Sequence, residues 1–378
     1  EKLPEAAPVF DDLIQREVPE KPGRTAAEDE EFDIISPRMP RAHLLSNGEW
    51  TVAAADCGAT LSACQGVDML RRSEDLLRRP LGLFAVVEPL PNGKRQKGQP
   101  PFSITAAPLY DDLPRRTVFG GQYASYFAET ETIEAGMRVQ VHATQPCEIR
   151  RFALRSKNGG RQRAKLLLYC EPSMARPEDA EAHPAFSRLF LRGEYDADHN
   201  ALLFTRRPRE GENGSLCLAM GFAEEIAFEY DFDRESVLQR PDGVSSLLRS
   251  GIELRGGAGV PDPCAALSLE LELPAKGQRM VTLLLTMGRS REEAPQAGPP
   301  GTRSPLRRQP GGPALPVGFT RAALPRQGFQ GPPDSRQGKQ AGAGRPLGLR
   351  HFGRPAHSRY GAEKHGRRRP RRALYPAA

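Results

Sequence analysis

The feature that narrows this chain most is residues 268–273, Ser-Leu-Glu-Leu-Glu-Leu, where polar and apolar side chains alternate without a break. Successive side chains of an extended strand point to opposite faces, so the run predicts a strand with one buried and one wet face. Arg138-Val139-Gln140-Val141-His142 repeats the pattern, and 149–154, 165–170, 201–206 and 279–287 are further strand candidates. Turn pairs punctuate them at Asn47-Gly48, Asn92-Gly93, Asn158-Gly159-Gly160, Asn213-Gly214 and Lys276-Gly277. Glycine supplies the positive φ that tight turns demand. The stretch 269–285, bent around Pro274–Gly277, predicts a hairpin. Many short strands, no strand–helix–strand rhythm and no internal repeat predict a mainly β fold, an antiparallel β-sandwich. One helix start stands out: Ser290-Arg291-Glu292-Glu293 has the spacing of a capping box, yet Pro295 and Pro299-Pro300-Gly301 follow at once.

The charge is divided unevenly. Residues 301–378 hold 17 Lys or Arg against the two acids Asp334 and Glu363, a net +15, while the other residues carry a net −8; together they give the +7 of the whole chain. The basic pI of about 9.2 therefore describes the tail and says nothing of a folded domain. Residues 1–40, rich in Pro, Glu and Asp, read as an extended linker; residues 41–294 carry the strand pattern; residues 295–378 carry Arg, Pro, Gly and Gln without periodicity and read as a disordered basic tail. Five scattered aromatics in that tail, Phe319, Phe329, Phe352, Tyr360 and Tyr375, give no interleaved pattern for stacking on bases, which argues against a nucleic-acid binder.

Six cysteines at 57, 64, 147, 170, 217 and 264 show no CxxC pair and no zinc-finger spacing to His, so neither metal nor cofactor is expected, and buried reduced thiols point to the cytoplasm. No apolar run approaches the roughly 20 residues of a membrane helix, so no direct membrane contact is expected. No nucleophile elbow or phosphate loop occurs, and Gly256-Gly257-Ala258-Gly259 has no helix pattern behind it. Glu74-Asp75, among Arg71, Arg72, Arg78 and Arg79, is the most suggestive carboxylate pair, but neighbours on a strand face opposite ways, so an Arg–carboxylate network is the plainer reading. His183-Pro184 ahead of Phe186 reads as a turn or as a polar contact to a sugar hydroxyl. Trp50, the single tryptophan, reads as core.

Taken in order, these blocks resemble a known family. Leu44–Val52 (Leu-Leu-Ser-Asn-Gly-Glu-Trp-Thr-Val) is similar to the opening strand of the sandwich domain of cyclic β-1,2-glucan synthases, a type that also precedes the helical barrel of the glycoside phosphorylase-like enzymes. Glu74-Asp75 with Gly82 and Phe84, then Ala182-His183-Pro184-Ala185-Phe186-Ser187 with Leu189-Phe190, then Leu202-Leu203 and Arg206-Arg207-Pro208-Arg209, then Asp262-Pro263 and Ser290–Ala294 match its later blocks. The resemblance covers residues 1–294 and implies a galactose-mutarotase-like supersandwich. It departs where the family has Gly-Tyr-Ser and this chain has Thr60-Leu61-Ser62, and where family tryptophans are replaced by Cys64, Arg72 and Leu81.

The resemblance implies a non-catalytic carbohydrate-binding or scaffold module, since the helical barrel that carries the general acid in the relatives has no counterpart in this sequence. It implies β-1,2-glucan and the catalytic domains of a parent protein as partners, with that parent attached to the bacterial inner membrane. The expected sugar contacts are His183 and Phe186, with Arg71 and Glu74 beside them. The alternative is a self-contained carbohydrate-active enzyme using Glu74, Asp75 and His183 in a sandwich cleft. Codons permitted for Pro346–Ser358, read one base later, can spell a peptide similar to a segment downstream of the sandwich in that family, so the tail also reads as a shifted frame beginning near residue 294.

Overall fold

The computed structural model describes residues 29–33, 35, 40–73, 79–91, 99–108, 110–208, 215–239, 243–256 and 262–296. Nineteen strands are present among them. In chain order they are β1 Glu30–Phe32, β2 Ala42–Ser46, β3 Trp50–Ala55, β4 Thr60–Cys64, β5 Val67–Leu70, β6 Phe84–Leu90 and β7 Phe102–Ser103. There follow β8 Arg115–Gly120, β9 Tyr123–Glu129, β10 Ile133–Val141, β11 Cys147–Ser156, β12 Gln162–Cys170 and β13 Pro172–Ala175. The set closes with β14 Leu191–Asp196, β15 Ala201–Arg206, β16 Leu216–Phe222, β17 Glu229–Asp233, β18 Pro263–Leu273 and β19 Arg279–Gly288. Four short helices join them: α1 Pro177–Ala182, α2 Pro184–Arg188, α3 Arg234–Leu238 and α4 Glu293–Gln296, with a 3₁₀ turn at Gly243–Leu248.

Three antiparallel sheets result. A nine-stranded sheet runs β1-β8-β9-β10-β11-β19-β16-β15-β14; a central five-stranded sheet runs β17-β18-β12-β6-β7; a smaller meander runs β13-β5-β4-β3-β2. The main core lies where all three meet, with Trp50 and Val52 from the meander, Val87, Leu166 and Leu168 from the central sheet, and Met137, Phe152, Phe204 and Leu283 from the large sheet. Leu167 and Tyr169 point to the other face of the central sheet, onto Val237, Leu238 and Leu247 of α3 and the 3₁₀ turn. Burial on both faces explains why 165–170 reads as a nearly continuous apolar run rather than an alternation.

Two expectations change. Residues 30–32 lie inside the stretch read as linker, yet they pair as an edge strand with β8. The expected hairpin over 269–285 is not one. Both strands exist, but β18 pairs β12 and β17 while β19 pairs β11 and β16 in the other sheet. The Pro274–Gly277 turn is an arch crossing the sandwich. Each strand buries one face in the shared core, and that demand outweighs local pairing.

At 290–293 the cap forms, with Glu293 N–H donating to Ser290 Oγ at 3.1 Å, while the Glu293 carboxylate reaches back past Ser290 to accept from Arg289 N–H at 2.8 Å. The short α4 then seats Ala294 on Leu203, Cys217 and Ala219 of the large sheet. Gly288 allows that approach, since a Cβ there would meet Ala294 N at 2.4 Å. Residues 297–378, including the expected shifted frame, lie outside the described residues, as do Glu74, Asp75, Asn92-Gly93, Asn213-Gly214 and 257–260.

Candidate functional site

Between β12 and the meander the chain leaves one sheet for the other, and Glu171 sits at the crossing. Its carboxylate is buried, and three groups converge on it. Arg71 Nη1 donates to Oε2 at 2.6 Å, Arg234 Nε donates to Oε1 at 2.9 Å, and the Tyr169 hydroxyl donates to Oε1 at 2.9 Å. The backbone repeats the link, with Arg71 N–H on Glu171 O at 2.7 Å. Burial pushes the Glu171 carboxyl up, but the Arg71 and Arg234 guanidinia outweigh it and hold the group below its ordinary value. Burial also pushes the Tyr169 phenol far up, so it stays a donor.

The network reaches outward. Arg234 opens α3, which Asp233 caps by accepting from Glu235 N–H at 3.0 Å. Its guanidinium lies 3.7 Å from Asp262, and Asp262 is in turn paired with Arg188 at the end of α2. Arg188 Nε also donates to Pro184 O at 3.2 Å. A relay of Arg71, Glu171, Arg234, Asp262 and Arg188 thus pins the α1–α2 shoulder to the sandwich.

That shoulder carries two of the residues expected to touch sugar. His183 is the hinge between α1 and α2: its N–H donates to Asp179 O, and its C=O accepts from Ser187 N–H at 2.9 Å. Pro177 and Pro184 start the two helices at positions where the missing N–H has no partner to lose. His183 and Phe186 are both exposed, Phe186 at 53% and Leu189 beside it at 52%. Phe186 rests edge-on against Phe190, ring centroids 5.2 Å apart. Phe186 and Leu189 thus face outward, and α2 buries only Ser187. Arg71 is engaged by Glu171, so it serves the relay rather than an open face, and Glu74 lies outside the described residues.

Residues expected to matter elsewhere are structural. Trp50 is fully buried and its Nε1 donates to Glu148 Oε2 at 3.2 Å. Glu148 pairs with Arg150 at 2.6 Å, and Arg150 spends its other donors on Leu83 O and Thr60 Oγ1 at 3.1 and 3.0 Å. Thr60, where the resemblance implies a glycine, thus supplies an acceptor to a buried guanidinium. Its bulk is accommodated because residue 82 is glycine, at φ +132, where a Cβ would meet Thr60 Oγ1 at 2.3 Å. Arg72, where the resemblance implies a tryptophan, forks onto Asp68 with bonds of 2.8 and 2.9 Å. Sequence reasoning missed Glu171 and Arg234 because no local motif marks them. All six thiols are buried and free, and no group of three or more metal-ligating side chains occurs among the described residues. No helix among the described residues is long and apolar enough to cross a membrane.

The family assignment rests on the sequence as a whole. The glycosyl hydrolase 94 supersandwich domain matches residues 33–297, most of the chain and nearly all of the described strands. The chain belongs to the glycosyl hydrolase 94 supersandwich family. The chain is also 23% identical over 252 residues to the cyclic beta-(1,2)-glucan synthase NdvB of Rhizobium meliloti (strain 1021), an alignment spanning 65% of this chain and 9% of that protein. Among solved structures, a bacterial glucoamylase complexed with acarbose aligns with 71% of this chain and 37% of its own, at 10% identity and a TM-score of 0.41. A galactose mutarotase related enzyme from Lactobacillus acidophilus aligns with 66% of this chain and 99% of its own, at 8% identity and a TM-score of 0.33.

Proposed function

We propose that this supersandwich is a non-catalytic module of a cyclic β-1,2-glucan synthase-like protein, a rigid support that presents the α1–α2 shoulder to the catalytic domains of a longer polypeptide. The observation that carries the reading is the state of Glu171. Glycoside chemistry needs one carboxyl that holds a proton and a second placed across the scissile bond. Glu171 is kept ionised as the counter-ion of two arginines, which suits a structural post and not a general acid. Asp56, whose carboxyl burial pushes up, is sealed in the interior beside Arg41 and open to no substrate. The shoulder, by contrast, is held by the arginine relay while its large apolar side chains face outward, and rigid apolar faces of this kind suit contact with another domain.

A glucan contact at the same shoulder is the second reading. It is favoured by the half-exposed Phe186 ring, which offers a flat apolar face, on the same turn as the His183 imidazole, which can bond hydroxyls. The deciding experiment incubates the purified chain with β-1,2-glucans and their disaccharide, with and without phosphate. No hydrolysis, phosphorolysis or transfer is expected. A turnover lost in Glu74→Gln or Asp75→Asn would establish the enzyme reading instead. Titration of glucan into the wild type and His183→Ala tests the second reading, which requires heat of binding in the first and its loss in the other.

A further inference from the structure

Two sheets end side by side where β14, the last strand of the large sheet, meets β17, the last strand of the central one. A row of aromatic rings fills this seam. Phe204 and Phe232 are fully buried, with centroids 5.5 Å apart; Phe232 to Tyr230 is 5.6 Å; Tyr230 to Tyr195 is 4.7 Å with the rings 14° from parallel. The row changes character as it leaves the core: phenylalanine inside, then half-buried Tyr230, then Tyr195 at 37% exposure. Gly193 admits the inner end, since a Cβ there would strike the Phe232 ring at 2.5 Å.

Tyr195 is fixed as well as exposed. Its ring is stacked on Tyr230, with Phe228 edge-on at 6.1 Å, and its hydroxyl donates to Asn200 Oδ1 at 2.8 Å. Asn200 holds a left-handed backbone conformation, φ 48°, and its amide donates to Ile226 O at 3.1 Å. Asparagine tolerates that conformation better than most residues. A ring fixed at both ends has little freedom left to lose on binding.

We infer that Tyr195, backed by Tyr230, is a stacking platform for the apolar face of a pyranose ring in a neutral glucan. The C–H groups of that face meet the negative π-face of the phenol. The inference deepens the carbohydrate reading and rests on it. It is distinct from the His183 shoulder.

The test is calorimetric titration of linear β-1,2-glucan oligosaccharides into the full chain and its variants. Tyr195→Phe keeps the ring and retains binding. Tyr195→Leu keeps apolar bulk but loses the flat face, and weakens binding about tenfold, which is ~1.4 kcal/mol. A second readout stands even where Tyr195→Leu fails to fold. Trp50 is sealed in the core, so in Tyr195→Trp the added indole alone reports on the seam, and its emission shifts saturably with glucan. Wild-type affinity in Tyr195→Leu, or an indole blind to bound glucan, overturns the platform while leaving the carbohydrate reading intact. A wild type that binds no β-1,2-glucan overturns both.

Discussion

Glu171 shows how one side chain is set by partners that no local pattern announces. Arg71 and Arg234 lie 100 and 63 residues away in the chain. Their convergence is a product of topology, which is why the sequence offers Arg71 as a candidate but not its counter-ion. Trp50 was legible because a lone tryptophan flanked by strand residues has few places to go but the core. Glu171→Gln keeps the shape and removes the charge, leaving Arg71 without its counter-ion and Arg234 with Asp262 alone. An expected loss of ~2 kcal/mol follows, moderated because both arginines are partly exposed. The sign with pH is defined. A carboxyl held below its ordinary value of 4.5 stabilises the fold above that value, and this contribution is lost as pH falls through the lower folded value. Denaturant unfolding of wild type and Glu171→Gln should therefore differ most near neutrality and converge in acid. A deficit unchanged down to pH 3 would show that Glu171 acts through packing alone.

Among the elements, strands were legible and their partners were not. Alternation at 268–273 reports the two faces of a strand, and β18 has them, with Glu270 and Glu272 exposed between buried leucines. It cannot report which sheet the next strand joins, and a four-residue turn serves a hairpin or an arch equally well. The α1–α2 shoulder was illegible as helix for another reason. Its two helices have six and five residues, α1 buries none and α2 only Ser187, so no apolar stripe of helical period exists to be read. This shoulder also carries a sharp test. A core phenylalanine cut to alanine costs about 3–5 kcal/mol. Phe186 meets solvent over half its surface and packs edge-on against Phe190, so Phe186→Ala should cost no more than ~1 kcal/mol. Chemical denaturation gives the number, and a cost of several kcal/mol would mean the shoulder is packed more deeply than its exposure indicates.

At the scale of the whole molecule, the three sheets share one core, and the cysteines happen to sample all of them. Cys64 lies in the meander, Cys170 and Cys264 in the central sheet, Cys147 and Cys217 in the large sheet, and Cys57 just beyond β3. Each is nearly inaccessible, and burial pushes the Cys64 and Cys147 thiols up to about 12. The thiolate is the reactive form, so both access and ionisation protect these groups in the folded state. A thiol reagent should therefore label none of the six quickly in native buffer and all six in denaturant. The informative regime lies between. Packing of Trp50, Leu166 and Phe152 into one cluster ties the three sheets together, so opening should be cooperative. All six thiols should then appear with a common rate that rises with denaturant as global unfolding does. Mass spectrometry of partly labelled protein distinguishes the outcomes: unlabelled and fully labelled chains alone are expected from a single cooperative unit. A build-up of chains labelled at Cys64 and Cys57 but not at Cys147 or Cys217 would show that the meander opens by itself and that the shared core does not bind the sheets into one unit.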